Sequence, residues 1–290
     1  MMHRAAFAGV GLGLVLAAAS VVDANSGGHL VLNGGGDKPR VVMEKFIELA
    51  GGPSASIVVF PTASELKDTP QYYRRLFKKE YDCEDVFVAP VKTRRDASAP
   101  ALVDRIDQAG GIFFAGGDQR RIITALRDTP VGDAVRRAFD RGAVVGGTSA
   151  GTACQSPLMI TGDGDFERIT ADNVVLWPGL GLFQGVVVDQ HFVALSRHNR
   201  LIAVVLEHPE LLGVGVDEET AVWVKPDASF EVLGEGWVVV YDAAGATVHQ
   251  NEFDNDTVAL GVHGLVTHVL LPGETFDLRR RIPVHGTGQN

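Results

Sequence analysis

Along most of the chain, short apolar runs alternate with stretches in which apolar residues recur every three or four positions. Runs of the first kind are His29–Asn33, Ile57–Pro61, Val86–Pro90 and Gly111–Phe114. Each is followed by a segment with helical spacing: Lys38–Ala50, Thr69–Lys79, Ser98–Ala109, and a helix opening near Gln119. Apolar runs without a polar face suit strands covered on both sides, and their alternation with helices predicts a parallel sheet with crossover helices. The best-delimited helix is Pro130–Arg141. Val131, Ala134, Val135, Ala138 and Phe139 form its apolar stripe, Thr129 caps it, Pro130 takes its first turn and Gly142 stops it. The run Ala143–Gly146 follows at once and leads directly into Gly147-Thr148-Ser149.

Downstream, Gly185–Asp189, Leu212–Val216 and Ala221–Val224 read as further strands, with a helix over Arg197–Glu207 between the first two. Beyond Pro226 the helical period disappears, and Gly236–Tyr241 and Gly264–Leu271 read as strands separated by turns. The expected fold is therefore α/β: a mostly parallel sheet with helices on both faces and a β-rich C-terminal extension from about residue 226. No linker-like composition divides the chain, so 25–290 is expected to form a single domain.

The first residues follow another pattern. Arg4 precedes an almost unbroken apolar stretch from Ala5 to Val22, and Val22-Asp23-Ala24 places small side chains where a signal peptidase needs them. Residues 1–24 are read as a secretory signal peptide cleaved near Ala24, which puts the mature protein in the periplasm or outside the cell. The apolar stretch is at the short end for a membrane span, and no membrane attachment is expected after cleavage. Net charge is −10, and loss of Arg4 and Asp23 together leaves it unchanged. An acidic chain without a Lys/Arg cluster argues against a nucleic-acid partner. The two cysteines, Cys83 and Cys154, are too few for a disulfide framework or a metal quartet and are read as buried free thiols.

The chemistry gathers at predicted strand ends. Gly147-Thr148-Ser149-Ala150-Gly151 matches G-x-S-x-G, a strand-to-helix turn that exposes a serine hydroxyl and aims helix N–H groups at the reacting carbonyl. A second apolar strand ends in Gly116-Gly117-Asp118-Gln119, and ligands of open parallel sheets collect where strands end. A serine nucleophile needs a base. Of the nine histidines, His191 stands at the end of Val186-Val187-Val188-Asp189-Gln190. A third member must orient the imidazole, and Asp217, Glu218 and Glu219 all follow another strand; residue pattern alone leaves the three open. Nucleotide binding is excluded because Pro39 takes the third glycine position after Gly34-Gly35-Gly36. His191 and His198 lack zinc-site spacing, so neither metal nor cofactor is expected.

Four runs in this order, Gly116-Gly117-Asp118-Gln119, Gly147-Thr148-Ser149-Ala150-Gly151, Asp189-Gln190-His191-Phe192 and Gly215-Val216-Asp217-Glu218, resemble the cyanophycinase and aspartyl-dipeptidase (peptidase E type) family of serine peptidases. That resemblance implies a glutamine-amidotransferase-like α/β fold. It implies Ser149 as nucleophile, His191 as general base, Glu218 as the orienting carboxylate, and an oxyanion hole from the N–H groups of Ala150 and of the Gly116-Gly117 turn. It further implies substrate contacts at Gln119, Asp189, Gln190, Arg197 and Arg200. Arg197 and Arg200, at i and i+3, are expected to share a helical face and bind substrate carboxylates. Leu195 departs from the pattern, where a further Arg belongs. The implied activity is an exported exopeptidase hydrolysing β-aspartyl peptide bonds in cyanophycin, a polyaspartate with arginine on its side-chain carboxyls, to release β-Asp-Arg-type dipeptides; a homodimer is implied as well. The alternatives are an aspartyl dipeptidase acting on small peptides, a non-catalytic binding protein on the same fold, and an esterase, whose chain order would be Ser, acid, His.

Overall fold

A computed structural model describes residues 27–164, 166–254 and 257–284; the expected signal peptide, 1–24, lies outside the described residues. The chain opens with β1 (Leu30–Asn33), α1 (Arg40–Ala50), β2 (Ser56–Phe60) and α2 (Thr69–Arg75), which continues into a π-helical turn, Leu76–Glu80. It proceeds through β3 (Asp85–Val88), α3 (Pro100–Asp107), β4 (Gly111–Phe114), α4 (Gln119–Leu126), α5 (Pro130–Asp140) and β5 (Val144–Thr148), which runs into the short α6 (Ala150–Ala153). The strands of this half pair side by side as β3-β2-β4-β5-β1, all parallel. Prolines set two helix starts: Pro39 and Ala99 hold extended backbone just before α1 and α3, so both helices begin later than the apolar spacing predicts.

The period of two along these strands sorts their side chains onto two faces. Leu30, Leu32, Val58, Phe60, Ile112 and Phe114 join the apolar sides of α3, α4 and α5, whereas Val31, Ile57, Val59 and Phe113 pack with Met43, Phe46 and Ile47 of α1 and Tyr73 of α2. Helices therefore cover both faces of the parallel half, as expected.

Next come the hairpin β6 (Leu158–Gly164) and β7 (Val174–Pro178), then β8 (Val186–Gln190), α7 (His198–Glu207), β9 (Leu212–Val216), β10 (Thr220–Val224) and β11 (Ser229–Gly234). The remaining strands are β12 (Val238–Asp242), β13 (Thr247–Asp254), β14 (Thr257–His263), β15 (Val266–Leu270), β16 (Thr275–Asp277) and β17 (Ile282–Val284). The second half of the chain does two things. β10, β11, β16 and β17 add to the β1 edge antiparallel, giving a nine-stranded sheet, while β8 and β9 pair parallel in a separate four-stranded sheet with β12 and β15. One face of the smaller sheet packs on the antiparallel half of the larger through Val186, Val188, Val214, Val222 and Phe230; its other face carries α7 through Val187, Leu201 and Val205. The hairpin β6/β7 escapes the apolar pattern because its outer residues, Gly162–Gly164, are exposed. Cys83 and Cys154 are both buried and free.

Candidate active site

Ser149 occupies the turn between β5 and α6 with φ 53° and ψ −113°, a conformation costly for a residue with a Cβ. The surroundings hold it there. Its N–H donates to the Asn33 carbonyl (3.0 Å), and its own carbonyl accepts from the N–H groups of Thr152 (2.9 Å) and Ala153 (3.0 Å). The flanking glycines are steric requirements. A Cβ on Gly147 would meet the Gly151 carbonyl oxygen at 2.2 Å, and one on Gly151 would meet the Phe114 carbonyl oxygen at 2.2 Å. The turn is thus a close-packed elbow that pushes the hydroxyl outward.

His191 follows β8, its backbone likewise at positive φ (49°), and its Nε2 lies 2.8 Å from Ser149 Oγ. Its Nδ1 lies 2.6 Å from Glu218 Oε1. The three acids after β9 have separate tasks. Asp217 Oδ1 accepts from the N–H groups of Val193 (3.1 Å) and Ala194 (2.9 Å), which anchors the loop after His191. Glu219 turns away at positive φ, its N–H donating to Gly35. Only Glu218 reaches the imidazole. A carboxylate bonded to Nδ1–H leaves Nε2 free to accept the serine proton, the geometry required of a general base.

Asn33-Gly34-Gly35-Gly36 seats this triad. The Gly34 carbonyl accepts from His191 N–H (2.8 Å), and Asn33 Oδ1 accepts from Gly35 N–H (2.7 Å) and lies 3.1 Å from Thr148 Oγ1. Residue pattern assigns these glycines no part in the site, because their partners lie more than a hundred residues downstream.

The Gly116-Gly117 turn, expected from the sequence to supply oxyanion donors, lies beside Ser149. Gly117, at φ 136°, fits against the Ala63 carbonyl, where a Cβ would approach to 2.2 Å, and a Cβ on Gly116 would lie 3.4 Å from Ser149 Cβ. Among the described residues, no backbone carbonyl accepts from the N–H groups of Gly116, Gly117 or Ala150, and that of Gly116 faces the Tyr73 hydroxyl. In front of Ser149 opens a cavity of about 370 Å³, lined by Gly35, Gly116, Thr148 and His191 together with Lys38, Ser64, Leu66, Tyr72 and Tyr73. Ser64, Leu66, Tyr72 and Tyr73, from α2 and its approach, carried no motif. Burial pushes the Tyr73 phenol far above its ordinary range, with the Gly116 N–H opposing.

The five expected substrate contacts lie elsewhere than this cavity's lining. Arg200 is the clearest correction. Its side chain is 2 % exposed and grips Asp189, itself 1 % exposed, through Nε (2.7 Å to Oδ2) and Nη2. Phe166 covers the guanidinium, so Arg200 and Arg197 do not jointly face solvent as their spacing suggested. Arg197 Nη1 donates to the Gln190 backbone carbonyl (2.6 Å) and to its Oε1, and Gln190 N–H donates to Asp189 Oδ1 (2.8 Å). Burial draws the Arg197 guanidinium below its ordinary value; Arg200 adds to this, and Asp189 and Glu218 oppose it. Gln119 is turned inward, its Nε2 donating to the carbonyls of Ile160 (2.8 Å) and Thr161 (3.0 Å), and so pins the β6/β7 hairpin. Asp189, Gln190, Arg197 and Arg200 thus form one bonded cluster at the end of β8, next to His191 in the chain. Leu195 is 56 % exposed on the same loop.

A half-buried serine, a histidine and a glutamate in that chain order, set at the carboxyl ends of strands, define a serine hydrolase and exclude the Ser, acid, His order of an α/β-hydrolase esterase. The sequence profile of Peptidase family S51 matches residues 30–232, which span all of these groups. The chain belongs to that family and is a serine-type peptidase. It is similar to the cyanophycinase of Nostoc sp. (strain PCC 7120 / SAG 25.82 / UTEX 2576), with 36 % identity over 257 residues covering 87 % of this chain and 86 % of the relative. It is also similar to the cyanophycinase of Geminocystis herdmanii (strain PCC 6308), with 34 % identity over 263 residues, 89 % of this chain and 96 % of that one. Among solved structures, a peptidase from an acI-B1 Actinobacterium shares the fold at a TM-score of 0.65 and 21 % identity, covering 87 % of this chain and 97 % of its own.

Proposed function

We propose that this protein is an exported peptidase that degrades cyanophycin, with Ser149 as nucleophile, His191 as general base and Glu218 as its orienting carboxylate. The observation that carries the chemistry is the unbroken contact from Ser149 Oγ through the His191 ring to Glu218 Oε1. The substrate rests on the cyanophycinase relatives. In the reaction, His191 Nε2 takes the hydroxyl proton as Ser149 Oγ attacks the scissile carbonyl. The N–H groups of Ala150, Gly116 and Gly117 receive the oxyanion. His191 then returns the proton to the departing amine, and water repeats the sequence on the acyl-enzyme.

Release of β-Asp-Arg-type dipeptides fixes which bond breaks. Cutting the β-aspartyl side-chain linkages, the bonds first expected to break, would free arginine, so a dipeptide that keeps its β-linkage corrects that expectation to cleavage between backbone aspartates. In this reading Arg197, the most exposed charged member of the β8 cluster, reaches the substrate, while Asp189, Gln190, Arg200 and Gln119 shape the site from beneath. The apolar stretch from Ala5 to Val22 after Arg4 supports export. The test is purified mature protein on insoluble cyanophycin with mass spectrometry of the products. Solubilisation with β-aspartyl-arginine as the main product is expected, and an untouched polymer alongside cleaved small aspartyl peptides would move the assignment to an aspartyl dipeptidase. N-terminal sequencing of protein recovered from the medium or periplasm, beginning near Asn25, tests export.

A further inference from the structure

The lining of the catalytic cavity includes a lysine that forms no ion pair among the described residues. Lys38 lines the cavity and is half-buried. Its Nζ stands 5.4 Å from the Tyr72 ring centroid and 5.8 Å from that of Tyr73. Other cations near aromatic rings on this protein also have acids: Lys225, against Trp223, pairs with Glu231 at 2.9 Å. Among the described residues, no carboxylate forms an ion pair with Lys38, although its neighbour Asp37 and the cavity residue Asp68 are both exposed nearby in the chain or cavity. A partly desolvated ammonium left unpaired is unfavourable, and the rings that flank it offer a cation–π contact but no charge neutralisation. It is also the one lysine or arginine in the cavity lining, on a protein whose net charge is −10.

We infer that Lys38 is a specificity-determining residue whose ammonium receives a free carboxylate of the bound substrate, the missing counter-ion being supplied on binding. The inference rests on the peptidase reading above and narrows its substrate class. In a polyaspartate carrying arginine through amide bonds to its side-chain carboxyls, each arginine is joined by its amine and keeps its own carboxylate. That group is the one the lysine takes. The adjacent Tyr72 and Tyr73 rings lower the local dielectric and strengthen the pairing. Burial draws the Lys38 ammonium below its ordinary value, with Asp37 opposing, which agrees with a site poised to gain an anion.

The test uses covalent labelling of Ser149 by a fluorophosphonate, with protection by β-aspartyl-arginine or by the same dipeptide carrying a C-terminal amide. The concentration of each that halves labelling is measured in the mature wild type, in Lys38→Met and in Lys38→Arg. The ratio of amide to acid within one protein cancels any change in labelling rate. A ratio of tenfold or more is expected for wild type, most of it retained in Lys38→Arg and reduced to within twofold in Lys38→Met. Equal protection by acid and amide in the wild type overturns the inference, and so does a Lys38→Met protein that keeps the wild-type ratio. If cyanophycin is degraded while either of these holds, only the lysine assignment falls. If neither dipeptide protects and cyanophycin is left intact, the substrate reading falls and takes this assignment with it.

Discussion

Gly35 lies flat against the imidazole of His191: a Cβ built on it would stand 2.1 Å from Cε1 and 2.5 Å from both ring nitrogens. The His191 ring therefore rests on the loop after β1, the strand next to the one that leads into Ser149. Gly35 also holds φ 132°, a region that disfavours any side chain. Replacing it with alanine is expected to displace the ring from Ser149 while leaving the two cores intact. Turnover should fall by about 100-fold or more, the scale of loss for a misplaced catalytic group. Kinetics beside a thermal melt checks this, and near-normal kcat would show that the ring tolerates the shift.

Ser149→Ala and Ser149→Gly should both abolish peptide hydrolysis, yet differ in stability. The left-handed elbow conformation penalises serine and alanine alike but not glycine. The glycine variant is expected to melt about 1–4 °C above the alanine variant, from about 1 kcal/mol of relieved strain. Differential scanning calorimetry of the two inactive proteins decides it.

Glu218→Gln keeps the size of the side chain but removes the charge that stabilises the imidazolium and lets the amide present the wrong group to Nδ1. A fall in kcat of about 1000-fold or more is expected, with KM little changed. Comparable activity would mean that another acid, Asp217 or Glu219, takes over.

The Asp189–Arg200 pair belongs to the fold of the site rather than to its open surface. Removing one partner leaves an unpaired charge beneath His191, so Arg200→Met is expected to cost about 3–5 kcal/mol of stability. Urea denaturation measures it directly. A variant of wild-type stability with a raised KM would instead restore the direct substrate contact expected from the helical spacing.

Alkaline pH should weaken substrate binding before it weakens chemistry. Burial lowers the Lys38 pKa, and only the protonated ammonium attracts a carboxylate. As pH rises through that lowered value the charge is lost, so KM climbs earlier than an ordinary lysine would cause. In Lys38→Arg, whose guanidinium stays charged, the climb should vanish. KM profiles on soluble β-aspartyl-arginine oligomers above neutral pH separate the two.

Much of this protein was written in local pattern. β4 and β9 match their apolar runs residue for residue, and α5 departs by a single residue at its end, because strands covered on both faces and helices with Pro and Gly boundaries leave unambiguous period and punctuation. The elbow glycines, the histidine ending β8 and the acidic cluster ending β9 were likewise visible, since strand ends concentrate ligand-facing groups in such sheets.

What periodicity does not encode is which faces meet. The assignment of Glu218 over Asp217 and Glu219 depends on how the β9–β10 connection lies against the loop of His191. Arg200 looked like a free cation because helical spacing records direction along one element only, and Asp189, which buries it, comes from another strand. The separate sheet of β8 and β9, the support of His191 by Gly35 and the opening of Lys38 toward Ser149 have the same origin. Sequence alone determined the elements of the parallel half, their order and the kinds of groups at their ends, because these follow from contacts between near neighbours. Tertiary structure alone decided which groups are neutralised and which remain open, because charge pairing and close packing are settled between segments far apart in the chain.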